Sequence, residues 1–178
     1  MHILAIIVLA ALPLVGAEAE AFLRDAEVTK VEDLDMGDTK PQRLTMSKDG
    51  VTARAIWKTV DNIGGTLHDY WGFEVAAYRL SKTLGLGIVP PTVRRTIDGV
   101  EGSLQLWMDD CEMLSDHGIH GVDMVQLKRV RMLGVIMNNL DAHNGNILVC
   151  EGGKKVYAID ASRAFQDRTR LYILLMHN

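Results

Sequence analysis

Apolar and polar residues alternate with a two-residue period over 27–31 (Glu-Val-Thr-Lys-Val) and again over 43–46 (Arg-Leu-Thr-Met), which predicts two short, half-buried strands. Lys48-Asp49-Gly50 follows as a hairpin turn, because glycine takes the positive φ that such loops demand. The alternation resumes over 51–60. It sets Val51, Ala53, Ala55 and Trp57 on one face of a strand and Thr52, Arg54, Ile56 and Lys58 on the other. The period then changes: over 69–84 apolar residues fall at 70, 73, 77, 80 and 84, the spacing of one buried helical stripe, with Asp69 as N-cap and Gly85 as stop. Pro90-Pro91 forbids helix and starts an extended segment over 92–97, which turns at Asp98-Gly99 and returns over 103–108 as a second hairpin. Residues 111–121 read as a polar connecting loop rich in Gly and His. The longest helical pattern covers 122–139, where Met124, Leu127, Val130, Met132, Leu133 and Ile136 fill more than one face and predict a central position. A polar loop over 140–146, a strand over 147–150, a turn at Gly152-Gly153 and a strand over 156–159 follow, and 168–176 has the pattern of a short final helix.

Antiparallel strands interrupted by one helix, then a helical region and a strand–loop–strand element, define an α+β class with two unequal lobes. The 178 residues are 48% apolar and 24% charged, a composition of one globular domain. A formal charge of −4 gives no basic face, so no nucleic-acid partner is expected. Cys111 and Cys150 form no Cys-x-x-Cys pair, and a single disulfide between them stays open. The almost unbroken apolar run over 3–15, followed by Gly16 and Ala17-Glu18-Ala19, has the shape of a signal peptide. It is short of the roughly 20 residues that a spanning helix takes. The expectation is a leader over 1–21, cleaved after Ala19 or Ala21, and an exported domain in the periplasm or outside the cell. An uncleaved membrane anchor and a buried N-terminal helix are the alternatives.

The densest polar cluster is 138–146, Asn-Asn-Leu-Asp-Ala-His-Asn-Gly-Asn, between a very apolar helix and an apolar strand. A carboxylate leaves the following strand pair at Ile159-Asp160. One carboxylate and one amide oxygen from adjoining loops make a hard, oxygen-rich site suited to magnesium, which takes its remaining ligands from phosphates and water. Asp141 is then free to orient or deprotonate an attacking hydroxyl, the division of labour that phosphoryl transfer requires. Each residue also has a plainer job available. Lys58 can be a surface lysine at a strand end, Asp141 and Asn146 can form an Asx turn, and His143 can bond loop backbone. Cys111, Asp116, His117 and His120 lack the ligand spacing of a zinc motif. Met108, Met113, Met124, Met132 and Met137 read as core filler.

Asp141-Ala142-His143-Asn144-Gly145-Asn146-Ile147-Leu148, followed by Ile159-Asp160, resembles the catalytic and metal-binding loops of atypical kinases of the phosphatidylinositol 3/4-kinase-like group, to which HipA-like and secretory-pathway kinases are related in layout. The resemblance implies a protein-kinase-like bilobal fold: a small antiparallel-sheet N-lobe with one helix over 22–108, and a shortened, mainly helical C-lobe over 109–178. It implies that Asp141 is the catalytic acidic residue, that His143 supports the loop or the transferring phosphoryl group, and that Asn146 and Asp160 hold Mg2+. Lys58 then bridges the phosphates of ATP, Glu74 is its ion-pair partner, and Trp107 and Met108 border the adenine. Three features depart from the family pattern. Residues 36–41 offer one glycine for the phosphate loop, Ala161-Ser162 stands where Phe-Gly is usual, and eighteen residues follow Asp160. The expected function is an ATP- and Mg-dependent phosphotransferase acting on a hydroxyl of a protein, lipid or small molecule. The alternative is a non-catalytic, pseudokinase-like or fragment domain that binds nucleotide or a partner chain covering its shortened C-lobe.

Overall fold

The computed structural model describes residues 14–34, 40–63 and 67–166. The N-terminal part is a five-stranded antiparallel sheet in the order β1-β2-β3-β7-β6, built from β1 (Glu27–Asp33), β2 (Gln42–Lys48), β3 (Val51–Lys58), β6 (Thr92–Ile97) and β7 (Val100–Leu106). Both predicted hairpin turns form. Lys48 pairs with Val51 across Asp49-Gly50, and Ile97 with Val100 across Asp98-Gly99, with positive φ at all four turn residues. The alternation in β3 is as expected, with Ala55 and Trp57 in the core and Lys58 beside Ile56 on the opposite, cleft-lining face.

Helix α1 (Gly16–Asp25) precedes β1 and buries Ala19, Phe22 and Leu23 against β6 and β7. Residues 19, 22 and 23 have the i, i+3, i+4 spacing of a core-facing stripe. The expected lobe start at 22 therefore falls inside a packed helix, and the sheet carries two helices rather than one. Arg95 fixes the end of α1 by donating to the carbonyls of Leu23 and Ala26, 2.8 Å each. Residues 3–13 of the apolar run lie outside the described residues, and no helix among the described residues is long and apolar enough to cross a membrane.

A short bridge of β4 (Asp61–Asn62) with β5 (Asp69–Tyr70) leads into α2 (Trp71–Thr83). Asp69 is not the N-cap of α2. It sits in β5 with its carboxylate turned to Arg163, and Tyr70 at the cap position makes no side-chain cap bond. The stop is as expected: Leu86 N–H donates to Ser81 C=O and Gly85 N–H to Lys82 C=O, a Schellman motif that needs the φ of +65° at Gly85.

Beyond Met108 the chain is mixed rather than mainly helical. Residues 111–117, expected as loop, form β8 (Cys111–Met113) and α3 (Leu114–His117), because Cys111 is disulfide-bonded to Cys150 and Leu114 is buried. β8 joins β9 (Ile147–Cys150) and β10 (Lys155–Ala158) in a second sheet, ordered β10-β9-β8. α4 (Met124–Ile136) is capped by Asp123, whose carboxylate accepts from Val125 and Gln126 N–H. Leu127, Val130 and Leu133 bury one face. The expectation of a central helix fails: Val125, Met132 and Ile136 are 60%, 62% and 57% exposed. Two apolar cores result, one under the large sheet and α1, the other among α2, α4, β9 and β10. The final helix expected over 168–176 lies outside the described residues.

Candidate active site

A cleft of about 460 Å³ is lined by Ile56 and Lys58 of β3, Gln105 of β7, Trp107, and Asp141, His143, Asn146, Ile159, Asp160 and Arg163. Apart from its rim residues Leu34 and Pro41, this lining runs from Ile56 to Arg163 and so draws on both the large sheet and the segment beyond Met108. Leu34 N–H bonds Pro41 C=O at 3.1 Å and closes the neck of the expected phosphate loop, whose residues 35–39 lie outside the described ones.

Lys58 is 8% exposed and Glu74 2%, and the Lys58 ammonium donates to Glu74 Oε1 at 2.7 Å and to Asp160 Oδ1 at 2.6 Å. Burial disfavours the lysine charge, but the carboxylates of Glu74 and Asp160 outweigh it and hold the Lys58 pKa above its ordinary value. Burial likewise pushes the Asp160 carboxyl up, and Lys58 pulls it net below the usual aspartate range. Lys58 is therefore no surface lysine. Its position depends on Gly102 in β7, where a Cβ would stand 2.4 Å from Lys58 C=O and 2.7 Å from the Trp57 ring.

Glu74 does more than pair with Lys58. Its second oxygen accepts from Ala161 N–H at 3.0 Å, so one buried carboxylate on α2 grips both the strand lysine and the loop that carries Asp160. Asp160 itself has φ +55°, a left-handed conformation that a non-glycine residue adopts at a cost and that neighbouring bonds must enforce. Ile159 N–H donates to Asn146 C=O at 3.0 Å and Tyr70 N–H to Ser162 C=O at 2.9 Å, one on each side of it.

The loop before β9 is fixed by its own polar groups. Asp141 N–H donates to Asn139 Oδ1 at 3.0 Å, and Asn146 Nδ2 donates to Asp141 C=O at 2.9 Å. The Asx turn in this loop is made by Asn139 and not by Asp141 or Asn146; with its Nδ2 committed to Asp141 C=O, Asn146 has Oδ1 as the atom left for a cation. His143 Nδ1 accepts from Gly145 N–H at 3.0 Å, which puts the ring proton on Nε2, 3.7 Å from Asp141 Oδ1. Lys58 and Ser162 both donate to Asp160 through Oδ1. Asp160 Oδ2 and Asn146 Oδ1 make a hard pair of donors that fits Mg2+, an ion content with one or two protein ligands beside phosphate oxygens.

Trp107 borders the cleft, flanked by the guanidinium groups of Arg43 and Arg54 at 5.4 and 5.5 Å from the ring. Its backbone N–H donates to Arg54 C=O at 2.9 Å. Met108 does not line this cleft. It faces cavities on the other side of the link, the larger of about 660 Å³ and bordered by the Cys111–Cys150 bridge. Sequence reasoning passed over Arg163, Asp69 and Gly102. Gly102 falls inside β7 because the strand begins at Val100, three residues earlier than the pattern predicts.

No protein-family model matches the chain. It is 30% identical over 139 residues to phosphatidylinositol 4-kinase gamma 4 of Oryza sativa subsp. japonica, covering 70% of this chain and 23% of that protein. The relationship is kinase-like. The chain spans about a quarter of the length of this curated relative. A Helicobacter pylori proinflammatory kinase, CtkA, superposes with a TM-score of 0.49 at 14% identity, over 80% of this chain and 60% of that one.

Proposed function

We propose that the chain is an ATP- and Mg2+-dependent phosphotransferase acting on a hydroxyl group. The observation that carries the reading is the buried Glu74–Lys58–Asp160 chain of ion pairs, set in one cleft with Asp141 and Asn146. A buried cation held between two carboxylates is costly to assemble and is weak support for stability, so its place in a polar cleft argues for use. Lys58 would neutralise nucleotide phosphate charge, and Asn146 and Asp160 would hold Mg2+. The ion would screen the phosphate oxygens and supply electrostatic stabilisation. Asp141 would orient the acceptor hydroxyl and take its proton as the new oxygen–phosphorus bond forms and the bond from the γ-phosphorus to the β,γ-bridging oxygen breaks, releasing ADP. His143, through Nε2, would keep the Asp141 carboxylate facing the acceptor. Catalysis of this kind is positioning and electrostatics.

The test is turnover. Asp141→Asn should lower ATP consumption at least about a hundredfold and leave MgATP binding intact; an undiminished rate would remove Asp141 from the reaction. The Cys111–Cys150 bridge supports the export expected from the leader, since disulfides persist in oxidising compartments. A second reading, a nucleotide-binding module completed by a partner chain, is favoured by the exposed apolar residues Val125, Met132 and Ile136 on α4. It predicts MgATP binding without turnover.

A further inference from the structure

We propose that Arg163 is a positioning residue that sets the Asp141 carboxylate and ties its placement to the start of α2. The role rests on the phosphotransfer reading above. Arg163 lies three residues beyond Asp160, and its side chain spans two carboxylates: Nε donates to Asp69 Oδ2 at 3.0 Å, and one terminal nitrogen stands 3.6 Å from Asp141 Oδ2. Its backbone acts on the same loop, since Arg163 C=O accepts from Leu140 N–H at 3.3 Å, one residue before Asp141. Main chain and side chain of one residue thus fix adjoining residues of the catalytic loop.

Asp69 gives the arginine its anchor. It is 8% exposed, and its Oδ1 has no hydrogen-bond partner among the described residues. A buried carboxylate in that state depends on the nearby guanidinium for its charge compensation. The planar fork of arginine suits a bridge between two carboxylates, where a lysine offers a point charge on a flexible stem. The anchor also lies beside other ties between the two segments. Tyr70 N–H bonds Ser162 C=O, and the Gln166 side chain bonds His68 N–H at 3.0 Å and His68 C=O at 2.6 Å. Arg163 extends this seam to the acid residue, so that α2, which holds Lys58 through Glu74, also orients Asp141.

The test uses the full chain, MgATP and water as acceptor, with thermal midpoint and steady-state ATP hydrolysis read side by side. Arg163→Met should keep the MgATP-induced rise in midpoint and a KM for MgATP within about threefold, while kcat falls ten- to a hundredfold, the scale of a misplaced reacting group. Asp69→Asn should lower kcat by a smaller factor, and adding it to Arg163→Met should cost nothing more, because Asp69 acts through the arginine. If Arg163→Met does not fold, Asp69→Asn alone decides, by the same split of kcat from KM. Unchanged kcat in the folded variants overturns the proposal. So does a tenfold rise in KM with kcat preserved, which would put Arg163 on the nucleotide. Absence of hydrolysis by the unaltered chain overturns the phosphotransfer reading as well, and the MgATP midpoint then shows whether the nucleotide site survives it.

Discussion

Glu74 shows how much one side chain decides in this molecule. Its two oxygens hold the Lys58 ammonium and the Ala161 N–H, so the strand lysine and the loop that follows Asp160 share a single buried acceptor. Both bonds, with the flanking backbone ones, surround Asp160 at φ +55°. Glu20 plays a comparable part on the outer side of α2. It accepts from Tyr78 Oη at 2.7 Å, from Lys82 and from Arg24, and these bonds, Lys82 first, lower its pKa from 4.5 to about 2. A carboxyl depressed in the folded state contributes stability above its unfolded pKa and loses it as pH falls through the folded one. Denaturant midpoints measured from pH 5 to pH 2 should therefore fall, and Glu20→Gln should flatten that fall. An unchanged slope in the variant would separate Glu20 from the acid sensitivity.

At the scale of elements, α4 is the clearest departure from pattern reading. Its apolar residues occupy several faces in sequence, yet packing takes only Leu127, Val130 and Leu133 and leaves Met132 and Ile136 exposed. Leu127→Ala should cost about 2–5 kcal/mol, whereas Met132→Ala should stay within about 0.5 kcal/mol, as read by urea unfolding. Equal losses would mean that α4 is covered on both sides. Hairpins, by contrast, were legible, because Asp-Gly at 49–50 and 98–99 encodes a turn locally and the flanking alternation sets the register. Asp141 and Asn146 stood out as part of a dense polar loop between apolar elements and Asp160 as a carboxylate leaving an apolar strand, whereas Lys58 was singled out only through the kinase resemblance; the structure brings all four to one cleft. Arg163 and Asp69 were not, since an arginine and an aspartate 94 residues apart carry no local pattern that marks their pairing. β8 was hidden for the same reason: its strand depends on a bridge and a register with β9 that only the fold brings about. The N-terminal stripe Ala19, Phe22 and Leu23 was masked by its position beside an apolar run of leader shape.

The whole molecule is two apolar cores with a polar cleft between them, joined by the Trp107–Asp110 link and by the bonds of the loop around Asp160. The Cys111–Cys150 bridge closes a loop of 39 residues around α3, α4 and the polar loop that carries Asp141 and Asn146. Loop-closure entropy assigns such a bridge about 4 kcal/mol, so reduction should lower the thermal midpoint by on the order of 10 °C. A midpoint indifferent to reductant would show that packing alone holds the second core. The cleft is the proposed nucleotide site, and ligand linkage reads it directly. The decisive measurement is the thermal midpoint of the full chain with ATP alone, Mg2+ alone and both, in the unaltered protein and in Asp160→Asn. Ligand at a hundred times its Kd should add about 2.7 kcal/mol to stability. The proposed site predicts a rise with ATP and Mg2+ together that exceeds either alone and is lost in Asp160→Asn; a folded protein with no shift, or a shift that Asp160→Asn retains, would contradict it.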